Sequence, residues 1–235
     1  MAACGSGDFF RQYEYEEDLY LSLDGSATIY VNASIAALDA LRGTSFDASP
    51  AARFDREPFR RYFESPVTHV TRVSQSRRSG RRFVHVRLDV SDVRRLAEAP
   101  PFAWSTYSFE RVGNLLVYKQ RLGGSAGKSV GNVGWTGRES VAVRLHIPSK
   151  VEYHNTLVEN FKRGNILVWE QSLADRLRGV PLEIDARMQT QSILYRTLWL
   201  FGLTFVAVAI GFAITIWWIM RRGKATDHVQ SMGGA

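Results

Sequence analysis

The feature that most constrains this chain is a block of 24 consecutive residues without a charge, Thr197 to Met220, which reads TLWLFGLTFVAVAIGFAITIWWIM. As an α-helix it is roughly 36 Å long, enough to cross an apolar layer of about 30 Å with some tilt. Trp199 lies near one end and Trp217 and Trp218 near the other, where indole rings prefer the headgroup level. A buried core helix of this length normally carries polar positions, so the block reads as a single transmembrane helix. The mean hydropathy of the whole chain, −0.17, is that of a soluble protein and hides the block. Ala207 and Gly211 form one small-xxx-small pair through which another helix could approach.

Charge around the block sets the expected topology. Arg221, Arg222 and Lys224 follow it directly, whereas Arg187 and Arg196 on the other flank are interspersed with Glu183 and Asp185. The positive-inside rule favours a cytoplasmic C-terminus, with residues 221–235 a short basic tail and the N-terminal part outside. Export needs a signal, and the first residues offer part of one. In Met1-Ala2-Ala3-Cys4-Gly5-Ser6-Gly7, the end of a bacterial lipoprotein signal is complete if Met1 stands where a leucine or valine was read as a start. Arginine supplies 25 of the 30 basic residues, as in GC-rich genomes, where such starts are easily misplaced. Cys4 is therefore expected to carry lipid, with residues 1–11 as lipobox and spacer. The competing reading is an ordinary cysteine. A further alternative takes Met1 as the true start and gives a tail-anchored cytoplasmic protein.

The 196 residues before the block are enough for a real core. A lone cysteine excludes a disulfide scaffold and a Cys-rich zinc site. Tyr13, Tyr15, Glu17, Leu19, Leu21 and Leu23 alternate with mostly polar residues, and Ala27, Ile29, Val31 and Ala33 alternate on the return. Asp24-Gly25 between them predicts a hairpin with a type I′ turn. Ser34 caps a helix to Leu41 that Gly43 stops, and 55–65 reads as a second helix with Phe59, Tyr62 and Phe63 on one side. A second hairpin runs from Val67 to Val90 through the tip Arg77-Arg78-Ser79-Gly80-Arg81-Arg82. Ser91 or Asp92 then caps a helix to Glu98, closed by Pro100-Pro101, and a third hairpin turns at Gly113-Asn114. Residues 123–139 are Gly-rich and read as a mobile surface loop. Strands follow at 140–147, 166–171 and 182–188, then a stalk over 189–196. The expected fold is α+β over 12–188: an antiparallel sheet of hairpins with short helices on one face, followed by the membrane helix.

Few residues point to chemistry. Gly124-Ser125-Ala126-Gly127-Lys128-Ser129 lacks the first glycine of a phosphate loop, because Leu122 stands there, and no helix follows it. Among His69, His85, His146, His154 and His228 there is no HExxH pair. His69 and His85 could face each other across the second hairpin, but they would make an incomplete metal site. The run Glu14, Glu16, Glu17, Asp18 reads as a solvated strand face, not as paired catalytic carboxylates. No GxSxG elbow occurs. No catalytic residues, metal or cofactor are therefore expected.

The charge feature that stands out is the arginine cluster of the second hairpin. Arg77, Arg78, Arg81 and Arg82 crowd its tip, with Arg72, Arg87, Arg94 and Arg95 nearby. Guanidinium groups there would hold lipid phosphates or an acidic partner by bidentate contacts. The structural alternative is an edge hairpin that charge protects from aggregation. Nucleic acid is not an expected partner, because no aromatic recognition pattern accompanies the arginines.

Three short pieces carry a family resemblance. Val143-Arg144-Leu145-His146-Ile147-Pro148-Ser149-Lys150, then His154-Asn155, then Gly164-Asn165-Ile166-Leu167-Val168-Trp169-Glu170 resemble LppM-type domains of bacterial envelope lipoproteins with a C-terminal membrane helix. The opening hairpin resembles the start of the same family. The resemblance implies an α+β envelope domain held by lipid and helix, with lipid or glycolipid binding and no established catalysis. The expectation is thus a non-enzymatic, single-pass protein of the bacterial cytoplasmic membrane that binds anionic lipid, glycolipid or an acidic partner through its arginine hairpin. The alternative is an accessory subunit of a larger membrane protein complex.

Overall fold

The computed structural model describes residues 12–157 and 165–230. Two compact units divide the chain, Met1–Thr190 and Gln191–Ala235. Cys4 lies outside the described residues.

The first unit contains two sheets. Strands β1 (Gln12–Leu21), β2 (Ala27–Ser34), β3 (Thr68–Arg78), β4 (Arg81–Val90), β7 (Glu139–His146) and β9 (Ile166–Ser172) form a six-stranded sheet in the order β3-β4-β2-β1-β7-β9. Strands β5 (Ser105–Val112), β6 (Leu115–Leu122), β8 (Ser149–His154) and β10 (Leu182–Ser192) form a second, in the order β5-β6-β10-β8. The three expected hairpins are present, but they divide between two sheets. In addition β1 runs parallel to β7, a pairing that local periodicity does not reveal. Leu19, Val31 and Val143 of the larger sheet share one core with Tyr118, Ile184 and Met188 of the smaller. Each such side chain contributes about 1.5–3 kcal/mol by leaving water.

Local chemistry explains the connections. Between β1 and β2 only Gly25 has positive φ, at 92°, and its N–H donates to Ser22 O at 3.2 Å. The turn is therefore not the expected type I′ turn at Asp24-Gly25, because Asp24 stays at negative φ. Instead, the Asp24 carboxylate accepts from the Ser26 N–H at 2.9 Å and holds the loop. Ser34 ends β2 and caps α1 (Ile35–Arg42), with its Oγ accepting from Ala37 N. Gly43 stops α1 at φ 74°. Phe59 and Phe63 of α2 (Glu57–Phe63) are buried. Asp92 caps a 3₁₀ turn over Val93–Glu98. The expected helix there is thus a tighter coil.

Four segments differ from expectation. Gly123 to Arg138 has no regular structure, but it is not a detached loop. Ala126 N donates to Leu41 O and Lys128 N to Ala40 O. The segment thereby satisfies carbonyls that the end of α1 would leave open. Residues 149–154 form β8, and α3 (Leu173–Leu177) follows β9, neither of which the sequence reading anticipated. The expected stalk is also regular structure, since β10 extends to Ser192 and α4 (Ile193–Gln230) starts at the next residue.

In the second unit, α4 carries one stretch long and apolar enough to cross a membrane, Thr197–Arg221, with a mean hydropathy of 2.2 and none of it buried. Thr204 and Thr215 donate their hydroxyls to the carbonyls of Leu200 and Gly211, which satisfies both polar groups within the helix.

Candidate anion-binding site

The second hairpin turns at Ser79-Gly80, where φ is 49° and 73°. Positive φ at both positions is the type I′ signature that matches strand twist, so this turn is here and not at Asp24-Gly25. Ser79 is the one non-glycine residue at positive φ among the described residues. The turn sets Arg77 opposite Arg82 and Arg78 opposite Arg81. Like charges directly opposite each other destabilise a ladder, so the destination of each guanidinium matters.

The four arginines separate into an exposed pair and a buried pair. Arg77 and Arg78 are exposed. Arg78 donates to Tyr13 O and lies over the Phe83 ring, 4.4 Å from its centroid. Arg77 makes no ion pair among the described residues. Arg81 and Arg82 are only 8% and 3% exposed. Adjacent strand positions send these two side chains to opposite faces. Arg81 donates to Glu14 Oε1 at 2.8 Å and to Gly134 O at 3.0 Å. Arg82 donates to the carbonyls of Asp47 at 3.0 Å and Ser49 at 3.2 Å, and it has no carboxylate partner among the described residues.

Glu14 is the element that sequence reading missed. It was expected on a solvated face, but both Glu14 and Glu17 are fully buried. The β1–β7 register shifts between Tyr13 and Tyr15, which leaves Glu14 as the extra residue of a bulge. Its carboxylate accepts from Arg81 and, at 3.2 Å, from Trp135 Nε1. Glu16 and Asp18 are not free either, for both pair with Arg144 at 2.7 and 3.4 Å.

A cavity of about 360 Å³ lies beneath the hairpin tip, between Gly80, Arg81, Arg82, Ala48-Ser49-Pro50 and Val130, Asn132 and Val133. Both Arg81 Nε and Arg82 Nε are buried without a hydrogen-bond partner. Four guanidiniums surround the tip, and Glu14 is the one carboxylate they contact among the described residues. Such a site can hold an acceptor-rich anion with an apolar portion, given its Val, Ala and Pro walls.

The other candidates resolve differently. His69 stands opposite Asp89 and His85 opposite Ser74, so the two histidines do not face each other. His69 Nδ1 meets Glu64 at 2.9 Å, while His85 is bonded to Asn32 and Ser76. Burial holds the His85 pKa below its ordinary value; Glu16 opposes the shift and Arg78 adds to it. Among the described residues no three His, Cys, Asp or Glu side chains gather as a metal site. Lys128 of the Gly-rich segment directs its ammonium to Thr44 O and, at 2.6 Å, Ser45 Oγ.

No family model matches the chain, and no curated protein does. Among solved structures, the chain is similar to the folded domain of LppM from Mycobacterium tuberculosis, determined by NMR. The TM-score is 0.41 at 19% identity, over 77% of this chain and 92% of that one. The likeness is loose.

Proposed function

We propose that this chain is a non-enzymatic, single-pass membrane protein of the bacterial envelope that binds an anionic lipid or glycolipid headgroup at its arginine hairpin. The observation that carries the reading is the cavity beneath the tip, which Arg81 and Arg82 both line, together with the buried Nε that each of these arginines leaves without a hydrogen-bond partner. Burying a guanidinium without full pairing is costly, and a phosphate oxygen placed there would offset that cost. Arg82 is the stronger candidate, because neutral carbonyls alone oppose its charge. The exposed pair, Arg77 and Arg78, would draw the headgroup toward the cavity. The apolar stretch Thr197–Arg221 supplies the membrane association. In this reading the N-terminal unit is exported, the C-terminus is cytoplasmic and Cys4 carries a second, lipid anchor.

Flotation of the full-length protein in micelles with vesicles of phosphatidylcholine, with and without 30% phosphatidylglycerol, tests the proposal. Binding to the anionic vesicles should exceed binding to neutral ones and fall with added salt. Changing Arg77, Arg78, Arg81 and Arg82 to Gln should remove that excess. Unchanged binding and salt dependence in the variant would end the lipid reading. Co-purification of a discrete large assembly lost with the same changes would put an acidic protein partner in its place.

A further inference from the structure

A second set of unpartnered polar atoms lies in the interior of the first unit, apart from the hairpin. Arg42, the last residue of α1, passes between the sheets with a side chain 2% exposed. Its guanidinium packs 3.2 Å from the centroid of Trp104 and 4.8 Å from that of Tyr15. It donates to the Tyr15 hydroxyl and lies 3.8 Å from the fully buried Glu17. Arg176 of α3 is fully buried and lies over the same indole, 5.2 Å away. Its polar contacts are with Gln171 Oε1 and Gly123 O, both uncharged, and it makes no ion pair among the described residues.

The donors of this cluster outnumber its acceptors. Buried and without a hydrogen-bond partner are Arg42 Nε and Nη1, Arg176 Nε, Trp104 Nε1 and Gln120 Nε2, all of them pure donors. The one pure acceptor left open is Glu17 Oε1, which the Gln120 amide faces without a well-formed hydrogen bond. Ser105 and Tyr107 add two hydroxyls that can act either way. Charge is also unbalanced, with two guanidiniums against one carboxylate. Burial pushes the hydroxyls of Tyr15, Tyr107 and Tyr118 well above their ordinary pKa, so no tyrosinate supplies the missing negative charge. Water can accept from the donors but cannot neutralise the charge.

We propose that the Arg42–Trp104–Arg176 cluster between the two sheets is a binding site for one compact monovalent anion of the halide class. The occupant is compact because every unpartnered atom is enclosed. It is monovalent because a single positive charge is uncompensated. Arg42, Arg176 and Trp104 Nε1 would donate to it, while Glu17 remains bound to Arg42 and the Tyr15 hydroxyl. An anion bound to the native state alone raises stability by mass action.

The test is thermal unfolding of the full-length protein in uncharged detergent, with sodium gluconate replaced stepwise by chloride or bromide at constant ionic strength. The unfolding midpoint should rise along a saturating curve in both halides. The rise should persist in Arg82→Gln and vanish in Arg176→Met. Equal midpoints in chloride and gluconate would overturn the proposal and leave a water-filled interior. A response that survives Arg176→Met, or is lost in Arg82→Gln, would also overturn it. Should Arg176→Met not fold, chloride-35 line broadening decides. The native protein should broaden the line saturably, and Trp104→Phe, which keeps a ring but removes one donor to the anion, should weaken affinity about tenfold. Absence of broadening, or unchanged affinity in Trp104→Phe, would refute the site.

Discussion

Replacing Arg42 by Met is the sharpest perturbation of the core, because it removes a charge while keeping much of the side-chain volume. Glu17 is fully buried and Arg42 nearly so. Without Arg42, the Glu17 carboxylate keeps the Tyr15 hydroxyl, at 3.0 Å, as its one well-formed hydrogen bond. Breaking a buried pair from one side costs roughly 3–5 kcal/mol, and the lost stacking on Trp104 adds about 1–2 kcal/mol. Glu17 limits the total by taking up a proton. Burial already holds its pKa above the ordinary value, and Arg42 is the largest influence opposing that shift. We therefore expect a loss of about 4 kcal/mol at neutral pH, read from urea unfolding by near-ultraviolet circular dichroism.

The pH dependence carries its own sign. A carboxyl whose folded pKa lies above its unfolded one is neutral in both states in acid, so no penalty operates there. The penalty sets in as pH rises past the unfolded value and is complete once pH has passed the raised folded one. The loss in Arg42→Met should thus be smallest near pH 4 and grow toward neutrality. Glu17→Leu with Arg42→Met removes both charges, and its cost should fall short of the summed single costs by at least about 2 kcal/mol. A single-variant loss below about 1 kcal/mol, or strict additivity, would refute the reasoning that Glu17 and Arg42 depend on each other.

Two further outcomes follow from local structure. Ser34→Ala removes the cap of α1 at a fully buried position and should cost about 1–2 kcal/mol in the same unfolding assay. Burial works against the Glu139 charge, yet the N–H groups of Thr136 and Gly137, at 2.7 and 2.8 Å, hold its pKa below the ordinary value. Glu139→Gln should therefore lose stability above the ordinary carboxylate range. The difference from the native protein should disappear as pH falls through the lowered value.

Much of the fold was legible because alternation and turn residues act locally. β1, β2, β4 and β6 bury every second side chain over most of their length, and Ser34 and Gly43 bound α1 as their chemistry dictates. The division into two sheets was not legible, since it depends on β1 pairing with β7 more than 100 residues away. β8 was hidden because Ser149–His154 buries just one residue and has no apolar period. The same limit applied to the site. The arginine tip was evident from composition, but which guanidiniums enter the protein depends on a bulge at Glu14 and on carbonyls at Asp47 and Ser49. Glu14 and Glu17 looked solvated because their burial comes from partners distant in sequence, Arg81 and Arg42.

The central claim is that the cavity beneath the hairpin tip receives an anionic headgroup. Methyl NMR of the full-length protein in uncharged micelles, titrated with short-chain phosphatidylglycerol, tests it most directly. The account predicts saturable shifts of the Ala36, Val130 and Val133 methyls, which line the cavity, and their loss in Arg82→Gln. Methyls that stay fixed while the lipid binds elsewhere, or shifts that survive Arg82→Gln unchanged, would contradict it.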